Sequence, residues 1–236
     1  MPQDAARLGA LGTIRRVATA EQCAAKGTTP LFRAVNPAEL ADINATGAFR
    51  NLGSAEGKYF TTSAEEAAAY AKQAVKAFGD QPYTIVRTDV SNSVFNGLLP
   101  AIVDRGIPAW GIPTDRLPGL VLRVMYHSPL PPAAVLTMKP DAIIKVRFFT
   151  TAEGGRSAAV EGQFYACPLF VEGEGQGFDC RLLLQGQRLE LGSTYEVPVK
   201  FLYRELALPK LAAGKDVLLW EGRNVAKGQV VKIADE

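Results

Sequence analysis

The chain has 236 residues, 47% hydrophobic and 21% charged, with a formal net charge of +2. That length suits one large domain or two of about 100 residues each, and the composition is that of a soluble globular chain. The net charge is too small to imply nucleic-acid or membrane binding by electrostatics alone, and its charges are spread evenly along the sequence.

Cys23, Cys167 and Cys180 are odd in number and lack a CxxC spacing. With His127 as the single histidine, they form neither a zinc set nor a disulfide framework, so buried free thiols in a reducing compartment are expected. No apolar run approaches the roughly 20 residues of a membrane span. The first residues hold no signal-peptide core, so cytoplasmic synthesis is expected; delivery into another cell would need a route that reads no such signal.

In chain order, residues 1–30 have no sustained periodicity and read as an N-terminal arm with a short helix near 18–26. LFRAV, 31–35, reads as a strand. Asn36, with Pro37 at the first helical position and Glu39 at the third, opens a helix over PAELADINAT that Gly47 ends. A glycine-containing loop leads to a second strand, 59–62. Ser63 then caps the alanine-rich helix AEEAAAYAKQAVKAFG, with Glu66 placed to complete a capping box, and Gly79-Asp80 stops it. Tyr70, Ala74 and Phe78 share one face of that helix, and residues 83–90 alternate as a third strand.

From residue 91 to 132 seven prolines loosen the pattern, with one strand expected at 120–126. A loop of that length either covers a site or wraps one face of the sheet. PLPPAA and Lys139-Pro140 then read as a linker. The expected organisation is an arm at 1–30, an α+β domain at 31–132, a linker at 133–142 and an all-β barrel domain at 143–236. Glycines at 154–155, 173, 175, 177, 186, 192, 214, 222 and 228 supply the turns of the last unit.

Two resemblances give these units an expected meaning. Glu153-Gly154-Gly155-Arg156, Gln163-Phe164-Tyr165, Glu190-Leu191-Gly192 and the closing EGRNVAKG, 221–228, occur in the order of the third domain of elongation factor Tu. The resemblance implies a small barrel with a tight EGGR turn between two strands. In that family the domain helps hold transfer RNA and contacts partner proteins. No basic stripe with interleaved aromatics is visible here. Arg156 and Arg223 are the residues to test for such contacts, or they brace their turns by bonding backbone carbonyls. The phosphate loop GxxxxGK[ST] is missing, which excludes a GTPase.

The order strand–helix–strand–helix–strand, carried by LFRAV, YFTTS and YTIVRTDV, resembles the ADP-ribosyltransferase-like domains at the ends of some bacterial polymorphic toxins. The resemblance implies NAD as the cofactor consumed. Arg33 would meet the nicotinamide nucleotide, because a guanidinium binds pyrophosphate with paired hydrogen bonds. Tyr59, Thr61, Thr62 and Ser63 would prop the nicotinamide pocket. A later acid would stabilise positive charge developing on the ribose. Asp115 is the first choice for that acid and Asp104 the second; the family's glutamate pattern is missing. Arg33, Ser63 and Asp115 are thus the expected catalytic set. Trp110 either stacks on the cofactor or anchors its loop.

Each residue also has a plainer reading. Arg33 would pair with Asp89 or Glu56, Ser63 would only cap its helix, Tyr59-Phe60 would be core, and His127 would be a surface or capping residue. Three functions follow. The first is an NAD-dependent ADP-ribosyltransferase or NAD-glycohydrolase whose barrel docks a protein target. The second is a non-catalytic module that binds a protein such as a translation factor. The third is an RNA-binding accessory of translation.

Overall fold

The computed structural model describes residues 27–127 and 138–234. The expected short helix near 18–26, Cys23 and most of the proline-rich linker lie outside the described residues. The architecture is mixed α/β, with a closed six-stranded antiparallel barrel and few helices.

A small antiparallel sheet comes first. β1 (Thr28–Val35) and β6 (Val121–His127) flank β3 (Thr84–Ser91). β1 is buried on both faces, which accounts for its nearly continuous apolar run. Phe32 and Ala34 pack under helix α2 (Ala64–Phe78), while Leu31 and Val35 face Ile43, Phe49, Phe60 and Ile112. The stripe of α2 that enters the core is Ala67, Ala71, Ala74 and Phe78; Tyr70 stays half-buried. Small side chains there let the helix lie close to the sheet.

Helix α1 (Pro37–Thr46) begins as its sequence dictates. The Asn36 side chain accepts from the Glu39 amide at 2.8 Å, and Gly47 takes the left-handed conformation that ends the helix.

The barrel is built from β7 (Ala142–Phe148), β8 (Phe164–Val171), β9 (Gly177–Leu183), β10 (Thr194–Phe201), β11 (Asp216–Trp220) and β12 (Asn224–Ile233). Their order is β10-β7-β12-β11-β8-β9, and β9 returns to β10 through Val199 opposite Leu182 and Phe201 opposite Cys180. Period-two alternation sends Ile144, Val146, Phe148, Leu169, Leu182, Val199 and Leu219 inward, where each is fully buried. Each such side chain contributes roughly 1.5–3 kcal/mol by leaving water. Cys167 and Cys180 are buried free thiols on adjacent strands.

The EGGR segment departs from the expected hairpin. β7 pairs with β10 and β12, not with β8. Thr151–Glu153 is a 3-10 turn, Gly154 follows in the left-handed conformation, and no strand begins before Phe164. The reason is Arg156, whose fully buried guanidinium pulls the segment into the barrel mouth. It pairs with Glu221 and donates to Tyr165 Oη at 3.2 Å and to the Ser54 carbonyl. Arg223 donates to the carbonyls of Gly154 and Gly155. Both arginines therefore brace backbone.

Residues 91–120, expected as a loose loop, are largely ordered. They form the short helix α3 (Asn92–Phe95), β4 (Pro100–Val103), β5 (Ile107–Pro113) and a 3-10 helix at Thr114–Gly119. The prolines sit at or near strand ends: Pro100 opens β4, Pro108 is second in β5 and Pro113 closes it. Together with β2 (Gly57–Phe60), this hairpin joins the small sheet to the barrel. β4 meets β9 in parallel at Val103 opposite Gly177, β5 pairs with both β4 and β2, and β2 leads into a bridge between Phe32 and Thr61. None of the described helices is long and apolar enough to cross a membrane.

Candidate functional site

That bridging arrangement leaves a cavity of about 520 Å³ between β1, β2 and α2 on one side and β9 with the turn after β4 on the other. Phe32 and Thr61 exchange backbone hydrogen bonds at 2.7 and 2.9 Å, which fixes Arg33 beside the end of β2. A larger open groove of about 1040 Å³ crosses the barrel exterior. There Lys145, Arg147 and Lys227 are matched by Glu172, Glu174 and Asp216, so it offers no consistent charge.

Arg33 lines the cavity with its side chain 21% exposed. It pairs with neither Asp89 nor Glu56. Its Nε and Nη2 donate to the two oxygens of Glu39 at 3.0 and 3.1 Å, and Nη1 donates to the Tyr59 carbonyl at 3.0 Å. Glu39 is aimed there by the cap, which fixes the third residue of α1 against the sheet. Lys58 Nζ reaches the same carboxylate at 2.7 Å. Burial pushes the Glu39 carboxyl up, but Arg33 and Lys58 outweigh it and hold it below the usual range.

Tyr59 and Thr61 also line the cavity. The Tyr59 ring stacks on Trp220 at 5.8 Å and its hydroxyl donates to the Trp220 carbonyl at 2.7 Å, so it is anchored in the barrel wall. The Thr61 hydroxyl donates to Glu66. That bond diverts Glu66 from the reciprocal capping box. Ser63 Oγ still accepts from the Glu66 amide at 3.2 Å and itself donates to Glu65. Ser63 is thus a helix cap outside the cavity lining, and Thr62 is exposed.

Of the two acids expected for the site, Asp104 lines the cavity and Asp115 does not. Asp115 is exposed on the 3-10 helix after β5. Asp104, 4% exposed, occupies the turn after β4 with φ of 46°, a left-handed conformation that Asp tolerates better than most residues. Its amide donates to the Gly177 carbonyl at 2.7 Å, and its Oδ1 accepts from the Asp179 amide at 3.1 Å. Burial, reinforced by the Asp179 charge, pushes its carboxyl up to about 8. Burial also raises Asp179 to about 6, against the pull of Arg181. Trp110 is not in the lining; its ring lies 5.4 Å from Phe95 and anchors the hairpin.

Glu39, Glu66, Tyr70, Asp179 and Arg181 are among the cavity residues that went unread as site residues in the sequence. Glu39 and Glu66 carried a visible signal, since each is the third residue of a capped helix, but that signal speaks only of capping. Asp179 and Arg181 alternate with the buried Cys180 and Leu182, so period two sends them to the outer face of β9. Arg181 lies between the rings of Phe78 and Phe164, 4.0 and 4.3 Å from their centroids. Both terminal nitrogens of Arg181 donate to Asp80, so the barrel is tied to the end of α2 along one wall of the cavity. No protein-family profile matches the chain, and no curated protein matches it in sequence.

Proposed function

We propose that the chain is an NAD-consuming enzyme, an ADP-ribosyltransferase or NAD-glycohydrolase, with the barrel forming one wall of its cleft and presenting a protein target. The observation that carries this reading is the Phe32–Thr61 bridge, which sets Arg33 and Thr61 together at a cavity that also holds the buried acid Asp104. A volume of about 520 Å³ lies within the range of small-molecule sites. NAD would supply an ADP-ribosyl group through cleavage of its bond to nicotinamide.

Arg33 supports anion binding. Three of its five N–H donors are directed to Glu39 and Tyr59, which leaves two and a fixed orientation. Thr61, held by Glu66, presents a positioned hydroxyl at the end of β2. Asp104 replaces Asp115 as the acid, and its buried position lets a carboxylate act in a low dielectric, where charge stabilisation is strongest.

Incubation with NAD should release nicotinamide. Arg33→Ala and Asp104→Asn should each slow that release by about 100-fold or more, and Asp115→Asn should leave it unchanged. No release by well-folded protein at high concentration would reject the reading. The second reading, a non-catalytic protein-binding module, is favoured by the position of Thr62, Ser63 and Asp115 outside the cavity and by the pairing of Arg33 with Glu39. It would be adopted if turnover were absent and one protein were captured reproducibly.

A further inference from the structure

The charges around the cleft do not balance. Each cation facing it has an internal carboxylate: Arg33 and Lys58 share Glu39, and Arg181 is turned onto Asp80. The acids opposite them are not matched in the same way. Among the described residues, Asp104 Oδ2 has no hydrogen-bond partner, although the residue is 96% buried and lines the cavity. Asp179, two residues before Arg181 on the same face of β9, lines the same space; its amide donates to Asp104, and Arg181, the Cys180 amide and the Tyr70 side chain relieve its carboxylate in part. Aromatic rings complete the enclosure. Tyr70 faces Asp179, and Phe164 stands 41% exposed at the rim. Carboxylates beside aromatic faces form a setting that favours a cation over an anion or a neutral group.

We propose that this end of the cleft is a seat for a planar delocalised cation, a guanidinium or a pyridinium, held between Asp104 and Asp179. The seat is built from both halves of the molecule, Asp104 from the β4–β5 turn and Asp179 from the barrel. It gives the barrel a direct role in ligand binding beyond recruitment. A guanidinium would come from the side chain that receives a transferred group. A pyridinium would come from the nicotinamide end of the dinucleotide. The inference deepens the NAD-consuming reading, and it is tested by binding rather than turnover so that the two fail separately.

The surroundings set the pH dependence. Glu205, on the short helix α4 (Arg204–Ala207), adds to the upward push on Asp104. Arg181, Tyr70 and Arg33 draw Asp179 down. The Tyr59 hydroxyl and Cys180 thiol border the pair and are both pushed up by burial, so they stay protonated. A bound cation favours the ionised acids, so binding expels a proton and tightens as pH rises from 6 to 8.5, by up to about tenfold per unit for one proton.

The test is calorimetric titration of the full chain with agmatine and with 1-methylnicotinamide, against urea and nicotinamide as neutral counterparts. One cation is expected to bind at least about tenfold tighter than its neutral counterpart, and which one identifies the source. Asp179→Asn and Asp104→Asn should each weaken it by tenfold or more, with folding checked by circular dichroism. Glu174→Gln, outside the cavity lining, should not weaken it. Equal binding of charged and neutral probes, or wild-type affinity in folded Asp179→Asn, would overturn the seat. Nicotinamide release is measured on the same samples. Turnover without cation binding overturns the seat and leaves the enzyme reading standing. Cation binding without turnover supports the seat and rejects the enzyme reading.

Discussion

The barrel and the cleft beside it treat buried charge in opposite ways. In the barrel mouth, Arg156 is fully buried with Glu221 against it, and Tyr165 and the Ser54 and Ala158 carbonyls take three more of its donors. Burial pushes the Glu221 carboxyl up, and Arg156 works against that. In the cleft, Asp104 is nearly as buried but has a second acid, Asp179, as its neighbour in place of a cation. The first arrangement spends its polar groups on one another and fixes geometry. The second leaves one oxygen of a buried carboxyl unpaired, which costs stability when the acid ionises and is retained where a ligand supplies the missing partner.

The sharpest way to break that comparison is to remove one partner from the barrel. Arg156→Ala strands Glu221 in a buried site and should cost about 3–5 kcal/mol in urea unfolding. A cost below about 1 kcal/mol would mean that the pair is not a structural brace.

Asp104→Asn tests the other half, and its sign is opposite. An acid whose folded pKa is raised is penalised when it ionises, so the contribution of Asp104 to stability falls as pH rises from about 4 to about 8. Asparagine removes the penalty. The variant should therefore be more stable than the parent at pH 8, by on the order of 1–3 kcal/mol, and nearly equal to it at pH 4. Thermal melts at both values read this directly. A variant less stable at pH 8 would show Asp104 to be structural.

Smaller effects sharpen the boundary between the two regions. Asn36→Ala removes the cap that places Glu39 under Arg33, and should lower stability by about 1 kcal/mol. If Arg33 binds an anion, the same change should raise KM for NAD more than it lowers kcat. On the barrel surface, Thr150 and Arg147 hold the exposed Glu153 carboxyl down at about 2. Its contribution is present above the ordinary glutamate range and lost as pH falls from about 4.5 to 2. Glu153→Gln should therefore lower stability slightly at neutral pH, and the difference from the parent should vanish as pH falls toward 2.

Much of the local structure was legible in order. Asn36-Pro37 and Ser63 started helices where their side chains accept the free amides, Gly47 and Gly79 stopped them, and strict alternation in 142–148 announced a barrel strand. Arg33, Tyr59 and Thr61 were singled out by the resemblance of their strands, and all three line the cavity. Ser63, Asp115 and Trp110 were readable only as residue types, and the structure places all three outside the cavity lining.

The sequence by itself therefore determined the two long capped helices, most of the strands and the presence of a barrel unit, because caps, turns and period-two burial act over a few neighbouring residues. Only the tertiary structure decided which acid meets Arg33 and that Asp179 and Arg181 wall the cleft. It also decided that EGGR is an anchor for a buried arginine. Those outcomes depend on the single meeting of β4 with β9 and the bridge from β1 to β2, contacts between residues far apart in the chain whose partners no local pattern records.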